Sequence, residues 1–278
     1  MDLTRTAEET DKSLLGEVAG LSMGAVLAAL AAARRGKAFH PEGVVHDARL
    51  AITGASAPQA AELLSRRGEH RAIVRFSRAV GLPRPIPDLL GLSLRVPHAY
   101  GRDRHQDLLL VTSADHPLLH HIFLPARDVQ QRPYTSSLPY RAGGELFLVG
   151  ALPRRESPRP DGRDELDRLH IAASTGRLEF DLAVAPVAGR FRSVGRLRIG
   201  LRLGPELDAL RFNPWNTGGG MQPAGWLNDA RDRAYKLSQR TWRRLRHHGA
   251  IRQDAADREL QRLARGSPAD GRTTHCAG

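Results

Sequence analysis

The most regular feature of the chain is an alternation of apolar and polar residues between residues 168 and 203. Three runs, at 168–174, 178–187 and 191–203, alternate with the period of two that is typical of half-buried β-strands. From Val194 to Leu203 the polar partners are mostly arginines, which predicts a strand with one basic face exposed to solvent. We therefore predict that all three runs are long antiparallel strands.

Shorter apolar runs predict further strands before this region, at 43–53, 72–77, 92–96, 107–112 and 145–152, with a short helix at 58–67. Three prolines between residues 83 and 87 predict an extended loop, and the segment 154–163, rich in proline and arginine, predicts a surface loop. Together the strands favour an α+β chain built on a closed or nearly closed antiparallel barrel of about eight strands.

Helical patterns lie towards the two ends of the chain, at 14–35, 226–248 and 254–265, and residues 266–278 have the composition of a disordered tail. The apolar stretch at 18–33 is short and weak for a membrane span, and the acidic residues before it do not suit a signal peptide. We expect a packing helix there.

Composition narrows the class of protein. The chain has 278 residues, of which 41% are hydrophobic and 26% are charged, values that exclude a disordered chain and a membrane protein. Its single cysteine, Cys276, excludes a disulfide framework and a cysteine-based zinc site, and the reducing cytoplasm is the simplest expectation. The net charge of +12 permits nucleic acid, acidic lipid or an anionic ligand as partner.

Two common catalytic motifs are absent from the sequence: it contains no His-Glu-x-x-His and no Walker loop. His116 and His120 have a spacing that two ligands of one metal ion can have on a helix, with His121 beside them, but histidines near a proline more often lie on the surface.

The informative pair is Arg231 and Tyr235, which are four residues apart on a predicted helix and share one face. A guanidinium beside a phenol favours the phenolate and would lower its pKa from about 10. A phenolate is a ligand suited to ferric iron, although the same pair also fits a tyrosine packed under a surface arginine.

Five segments, in order, resemble the catalase superfamily, and the resemblance covers about residues 35–243. They share the family's order and comparable spacing rather than a long identical motif. They are Lys37–Gly43 followed by Thr53, Val74–Ser77 followed by Asp88–Arg95, Gln106–Leu109, Val194–Leu197 followed by Leu210–Pro214, and the pair Arg231 and Tyr235.

The resemblance implies a catalase-type barrel that binds ferric haem b and has a site with two sides. On the distal side, His40 would be the catalytic acid–base, with Ser77 supporting it. Thr112 stands where the family has a distal asparagine. The remaining residues would bind the cofactor: Lys37 and Arg75 at the propionates, Phe212 on the proximal side, Tyr235 as iron ligand, and Arg231 holding Tyr235 as phenolate.

The resemblance also implies the domain organisation and the reaction. The expected parts are an N-terminal helical segment at 1–36, a barrel with the proximal helix at 37–250, and a basic C-terminal helix with a tail at 251–278. The expected reaction is that of a haem peroxidase on hydrogen peroxide or on organic or lipid hydroperoxides. Lys37 in place of arginine and Thr112 in place of asparagine favour peroxidase or peroxide-rearranging action over fast catalase action.

Three alternatives remain open at this point. His46, rather than His40, would be the distal residue if Val44–His46 is matched to the family's Val-Val-His. The barrel would be a binding domain if haem has been lost. The C-terminal region would contact nucleic acid or another acidic surface, because residues 231–265 hold 11 Lys/Arg against 4 Asp/Glu, a local charge of +7 that includes Trp242 among arginines. A homo-oligomer is also compatible with the sequence, whereas the peroxide that would be the substrate and the role of the 154–163 loop are not specified by it.

Overall fold

The computed structural model describes residues 42–83, 86–136 and 138–224. The helices predicted at 14–35, 226–248 and 254–265 and the tail at 266–278 lie outside the described residues. Within these ranges the elements are β1 (Glu42–Ile52), α1 (Glu62–Ser65), β2 (Gly68–Arg78), β3 (Leu90–Val96), β4 (Gln106–Thr112), β5 (Tyr134–Thr135), β6 (Tyr140–Ala142), β7 (Glu145–Pro153), α2 (Glu165–Ser174), β8 (Leu178–Pro186), β9 (Arg192–Arg202), a 3₁₀ helix (Pro205–Ala209) and β10 (Gln222–Pro223).

Eight of the strands close into a barrel in which each neighbouring pair is antiparallel. The order around the barrel is β1-β2-β3-β4-β5-β7-β8-β9, and the pairing of β9 with β1 closes it. The short strands β6 and β10 extend the sheet beside β7. The predicted antiparallel barrel of about eight strands is confirmed. We call the end at which β1 and β3 begin and β2 and β4 finish the upper end.

The interior of the barrel is filled by side chains from every second position of the strands. Phe76, Tyr134 and Phe180 meet near its middle, with ring centroids 6.0–6.5 Å apart in tilted and edge-to-face arrangements. Because this space is packed, the described barrel has no internal channel for a large ligand.

The segment predicted as a strand at 168–174 is instead part of α2, so that prediction is wrong. Asp164 caps the helix: its carboxylate accepts hydrogen bonds from the backbone N–H groups of Leu166 and Asp167, both at 2.9 Å. The buried residues Leu169, Ala172 and Ala173 follow the helical spacing of three and four. The apolar positions of this segment fit both a strand and a helix, and the hydrogen bonds accepted by Asp164 stabilise the helix.

Two other sequence predictions can be compared with the structure. The basic outer face of β9 is confirmed, because Arg196 and Arg198 are exposed while Leu197 and Ile199 are fully buried between and beside them. The carboxylate of Glu179, on β8, forms a salt bridge of 2.9 Å with the guanidinium of Arg198. The helix predicted at 58–67 is reduced to the single turn α1.

A buried ionic cluster joins α2 to the upper end of the barrel. Arg78, at the end of β2, contacts Glu165 of α2 at 2.7 Å and Asp88, just before β3, at 3.4 Å, and all three side chains are buried. The remaining donors of Arg78 go to two backbone carbonyls of the β2–β3 loop. A buried charge stays tolerable only while its partners are present, so this cluster fixes the loop and the helix relative to the barrel.

We predict that Glu165→Gln lowers the free energy of unfolding by about 2–4 kcal/mol, because it leaves the buried Arg78 guanidinium short of a counter-charge. Urea denaturation followed by circular dichroism measures the change. Glu156→Gln is the matched control: this glutamate is exposed and meets Arg154 at 3.5 Å, and its replacement should change stability by less than about 1 kcal/mol. Equal effects of the two substitutions would contradict the prediction.

Candidate functional site

Small and polar residues face outward from four neighbouring strands at the upper end. The strand register places Ser77 of β2 between Gly43 of β1 and Gly91 of β3, with Val111 of β4 next to Gly91. The neighbouring positions in sequence belong to the packed interior, so these residues face the other way. With the next outward row they form what we call the outer patch: Gly43, Ser77, Gly91 and Val111, and then Val45, Arg75, Ser93 and Leu109.

Arg75 lies across the outer patch above Gly43. A Cβ atom at position 43 would lie 2.6 Å from Cζ of Arg75 and 2.8 Å from the carbonyl oxygen of Phe76, so only glycine fits beneath this guanidinium. Burial lowers the pKa of Arg75 from its ordinary value, an effect opposed by Asp208. The group remains a cation at neutral pH, and a partly desolvated guanidinium is suited to bind a carboxylate.

Ser77 lies two residues after Arg75 on the same outward face and is 6% exposed. A small cleft, with a volume of about 10 Å³ and room for about one water molecule, lies beside this serine at the upper end of the barrel. It is lined by Gly43, Phe76, Ser77, Arg78, Leu90, Val129, Glu165 and Leu166. The candidate serine therefore lies near the end at which β1 begins.

Thr112 ends β4 on the inward side of the wall, opposite in direction to the outer patch. Its side-chain oxygen accepts a hydrogen bond from the backbone N–H of Leu90 at 3.1 Å, which continues the β3–β4 pairing by one step. The next residue, Ser113, is fully buried, and its hydroxyl has no hydrogen-bond partner in the described part of the chain. Thr112 therefore has a structural role in the pairing of β3 with β4. Its catalytic role stays a prediction.

His46 is a core residue of the barrel wall. It is 1% exposed, its ring meets Phe76 edge-on at 6.2 Å, and its Nδ1 lies 3.0 Å from the carbonyl oxygen of Gly200. Burial lowers the pKa of His46, and the Gly200 hydrogen bond acts in the opposite direction. It points inward, away from Ser77 and Arg75, and so shares no surface with the outer patch.

The lower part of the same wall anchors the segment 211–216. Arg95 of β3 and Asp107 of β4 face each other across the strands and form two parallel contacts of 2.7 Å, both side chains being buried. The same carboxylate accepts from the backbone N–H of Asn213 at 2.8 Å and from the side-chain amide of Asn216 at 3.1 Å. This ion pair therefore fixes a long irregular segment to the barrel.

Phe212 is positioned by that anchor. Arg95 lies 5.1 Å above the centre of its ring and donates to the carbonyl oxygen of the preceding residue, Arg211, at 2.8 Å. Phe212 packs with Val45 and Ile73, two outward residues of β1 and β2. The structure thus brings Arg75, Ser77 and Phe212 to one side of the barrel wall.

Four of the predicted site residues, Lys37, His40, Arg231 and Tyr235, lie outside the described residues. Within the described ranges no group of three or more metal-ligating side chains is present. His120, of the histidine group considered above, is fully buried against Phe191 and contacts the carbonyl oxygen of Gly189 at 2.9 Å.

Sequence reasoning missed the role of Arg95 and Asp107. Both residues stand inside segments that carry the family resemblance, at the outward positions of adjacent strands. A basic and an acidic residue at paired outward positions are a signal for a cross-strand ion pair. That the pair would also hold Asn213 and Asn216 was not visible, because those contacts join residues more than 100 positions apart.

The lowered pKa of His46 predicts a loss of stability in mild acid. Below about pH 6.5 the unfolded chain takes up a proton at this histidine while the folded chain does not, so the free energy of unfolding falls by up to about 1.4 kcal/mol per pH unit. Asparagine at position 46 can keep a donor towards Gly200 without titrating. His46→Asn should therefore flatten the pH dependence of urea unfolding between pH 7 and pH 5, and an unchanged slope would exclude this assignment.

The anchor predicts that Asp107→Asn loosens the 211–216 segment. The substitution leaves Arg95 buried without its counter-charge, and we expect a loss of about 3–5 kcal/mol in the free energy of unfolding. Hydrogen exchange followed by mass spectrometry should show faster exchange in peptides that contain Asn213. Asp47→Asn is the control, since Asp47 is exposed and lies 3.9 Å from Arg71; if it accelerated exchange equally, the anchor would be refuted.

No family model and no curated protein matches the sequence. Among solved structures, a fungal catalase is similar over 72% of this chain and 58% of its own length, with 12% identity and a TM-score of 0.51. A bacterial catalase (14% identity, TM-score 0.46) and catalase A from Saccharomyces cerevisiae (10% identity, TM-score 0.48) each cover the same share of this chain and 56% and 60% of their own chains.

The chain therefore spans less than two thirds of each of these catalases. The closed eight-strand barrel and the similarity to the fungal catalase agree with the fold that the resemblance implies. The described part of the chain has a catalase-like fold.

Proposed function

We propose that this chain is a haem protein that acts on hydrogen peroxide or on organic or lipid hydroperoxides, as a peroxidase or a peroxide-rearranging enzyme. The observation that carries the proposal is the joint position of Arg75 and Ser77 on the outer patch of a catalase-like barrel, at the end where β1 begins. Ferric haem b, when bound, would supply the redox chemistry on the peroxide.

The described residues fit such a group. Arg75 offers a partly buried cation to a carboxylate, and the propionates of haem are carboxylates. Gly43 and Gly91, on the two sides of Ser77, add no side chains of their own to the wall, and the guanidinium of Arg75 lies over Gly43. The packed interior of the barrel excludes a haem there, which supports a site between the outer wall and another part of the chain. Lys37 would assist Arg75 at the propionates.

On the distal side, His40 would move a proton between the two oxygens of the peroxide, a form of acid–base assistance worth roughly 10²–10⁴-fold. His40 stands three residues before Gly43, and three extended residues span about 10–11 Å. Gly43 pairs directly with Ser77, and in this proposal the serine would orient the ring of His40. Thr112 would take the place of the family's distal amide.

On the proximal side, Tyr235 would bind the iron through its phenolate oxygen, with Arg231 holding the phenolate. Phe212 would cover that side of the site, and the Arg95–Asp107 pair fixes its position. The segment that follows the described residues begins directly after Ala224, only eleven residues from Tyr235.

We predict that Tyr235→Phe abolishes most haem binding while the protein still folds, since the ring is kept and a substitution of similar volume usually costs little stability. Arg231→Leu should act more mildly, because each unit of pKa that the arginine contributes corresponds to about 1.4 kcal/mol. The measurement is the Soret absorbance and peroxidase rate of the full-length chain after addition of haemin.

Two controls sharpen this test. Tyr100→Phe removes a phenol that donates to Gln106 and has no role in the proposed site, so it should leave haem content unchanged. Arg75→Leu should weaken haem binding, whereas Arg71→Leu, four residues earlier on β2 and exposed, should not. If the wild-type chain shows no Soret band with added haemin, the barrel is a haem-free binding domain. If Tyr235→Phe binds haem with an unchanged spectrum, Tyr235 is a packing residue.

A further inference from the structure

The upper end of the barrel carries a concentration of exposed aliphatic side chains. Eight large hydrophobic residues are exposed in the described part of the chain, and five of them lie on two loops at this end. One loop joins β2 to β3 and the other joins β4 to β5. The five residues, which we call the aliphatic rim, are Leu82, Ile86, Leu118, Leu119 and Ile122.

The first loop is held in place by buried charges rather than by its own apolar side chains. The carboxylate of Asp88 accepts from the backbone N–H groups of Gly81 at 2.6 Å and Leu82 at 3.0 Å. Arg78 donates to the carbonyl oxygens of Leu82 at 2.9 Å and Ile86 at 3.0 Å. The backbone is therefore fixed while the side chains of Leu82 and Ile86 are left in solvent.

The second loop continues β4 as a short hairpin. Ser113 and Phe123 form a bridge, and the backbone N–H of Ala114 donates to the carbonyl oxygen of Ile122 at 3.1 Å. At its turn, Leu118 has a φ of +74° and is 66% exposed. Leucine rarely adopts a positive φ. Because the Leu118 side chain contributes little to the core, packing within the barrel does not explain why leucine occupies this position.

The two loops form one surface. Asp88 and Ala126 are joined by two backbone hydrogen bonds of 3.1 and 2.8 Å. The small cleft beside Ser77 lies at the same end of the barrel. The aliphatic rim and the candidate site therefore share this end of the barrel.

The charge and composition of this surface indicate its partner. Protein-binding surfaces are enriched in tryptophan, tyrosine and arginine at their centres, whereas the rim is wholly aliphatic. On the second loop, Arg127 and Arg132 lie near the exposed acid Asp115, and the loop's other acid, Asp128, is paired with Arg168 of α2 at 2.6 Å. The whole chain carries +12. Aliphatic side chains beside basic ones, on a positively charged protein, are suited to binding the surface of a bilayer with anionic headgroups.

We propose that the aliphatic rim docks on the surface of a lipid bilayer that contains anionic headgroups. The five side chains enter the boundary between headgroups and acyl chains, and the basic residues remain at the headgroups. Docking in this orientation brings the cleft at Ser77 to the lipid surface. The proposal does not require haem and stands or falls separately from the proposed function.

The test is sedimentation of the full-length chain, without added haemin, with vesicles of equal parts phosphatidylglycerol and phosphatidylcholine. Leu118→Asn removes a rim side chain, and because asparagine tolerates a positive φ the fold should be retained or stabilised. We expect this substitution to weaken vesicle binding about tenfold, the effect of withdrawing one leucine from an apolar environment. Ile122→Asn should act in the same direction.

The control is Leu201→Asn, since Leu201 is 63% exposed on β9 and is not part of the rim; it should leave binding unchanged. Binding should also weaken with added salt and on vesicles of phosphatidylcholine alone. Absence of wild-type binding to the mixed vesicles, or equal effects of Leu118→Asn and Leu201→Asn, would overturn the proposal. So would a wild-type dimer that becomes monomeric in Leu118→Asn without any vesicle binding, because the rim would then join two copies of the chain.

Discussion

The buried ion pair between Arg95 and Asp107 is the interaction on which the arrangement of this side of the molecule depends. It joins two neighbouring strands through two contacts of 2.7 Å. The carboxylate also holds the backbone of Asn213 and the side chain of Asn216, and the guanidinium lies over Phe212. Buried charges of this kind are stable only as a complete set. The pair therefore holds the irregular segment 211–216 against the barrel wall.

A second constraint is that the interior of the barrel is full. With Phe76, Tyr134 and Phe180 in contact at its middle, the interior of the barrel has no room for a large ligand. The outward face differs from the interior in kind: it has glycine at positions 43 and 91 and polar groups at Ser77 and Arg75. The guanidinium of Arg75 lies over Gly43 on this face.

Much of the fold was predictable because the strands of a barrel with a packed interior alternate in sequence. The runs at 43–53, 107–112 and 178–187 correspond to observed strands within a few residues. The run at 168–174 was mistaken because a short amphipathic helix and a strand share several apolar positions, and only the hydrogen bonds accepted by Asp164 distinguish them. Of the candidate site, Arg75, Ser77 and Phe212 do lie on one side of the wall.

The sequence by itself determined the alternating faces, the basic outer face of β9 and the catalase-like order of segments, since these depend on the periodicity and types of neighbouring residues. Only the tertiary structure decided which side of the wall each polar residue occupies. Thr112 faces inward with its hydroxyl on Leu90, His46 is in the core, and Asp107 holds Asn213 across more than 100 positions. These contacts depend on strand register and on closure of the barrel, and no local pattern encodes a partner so distant in sequence.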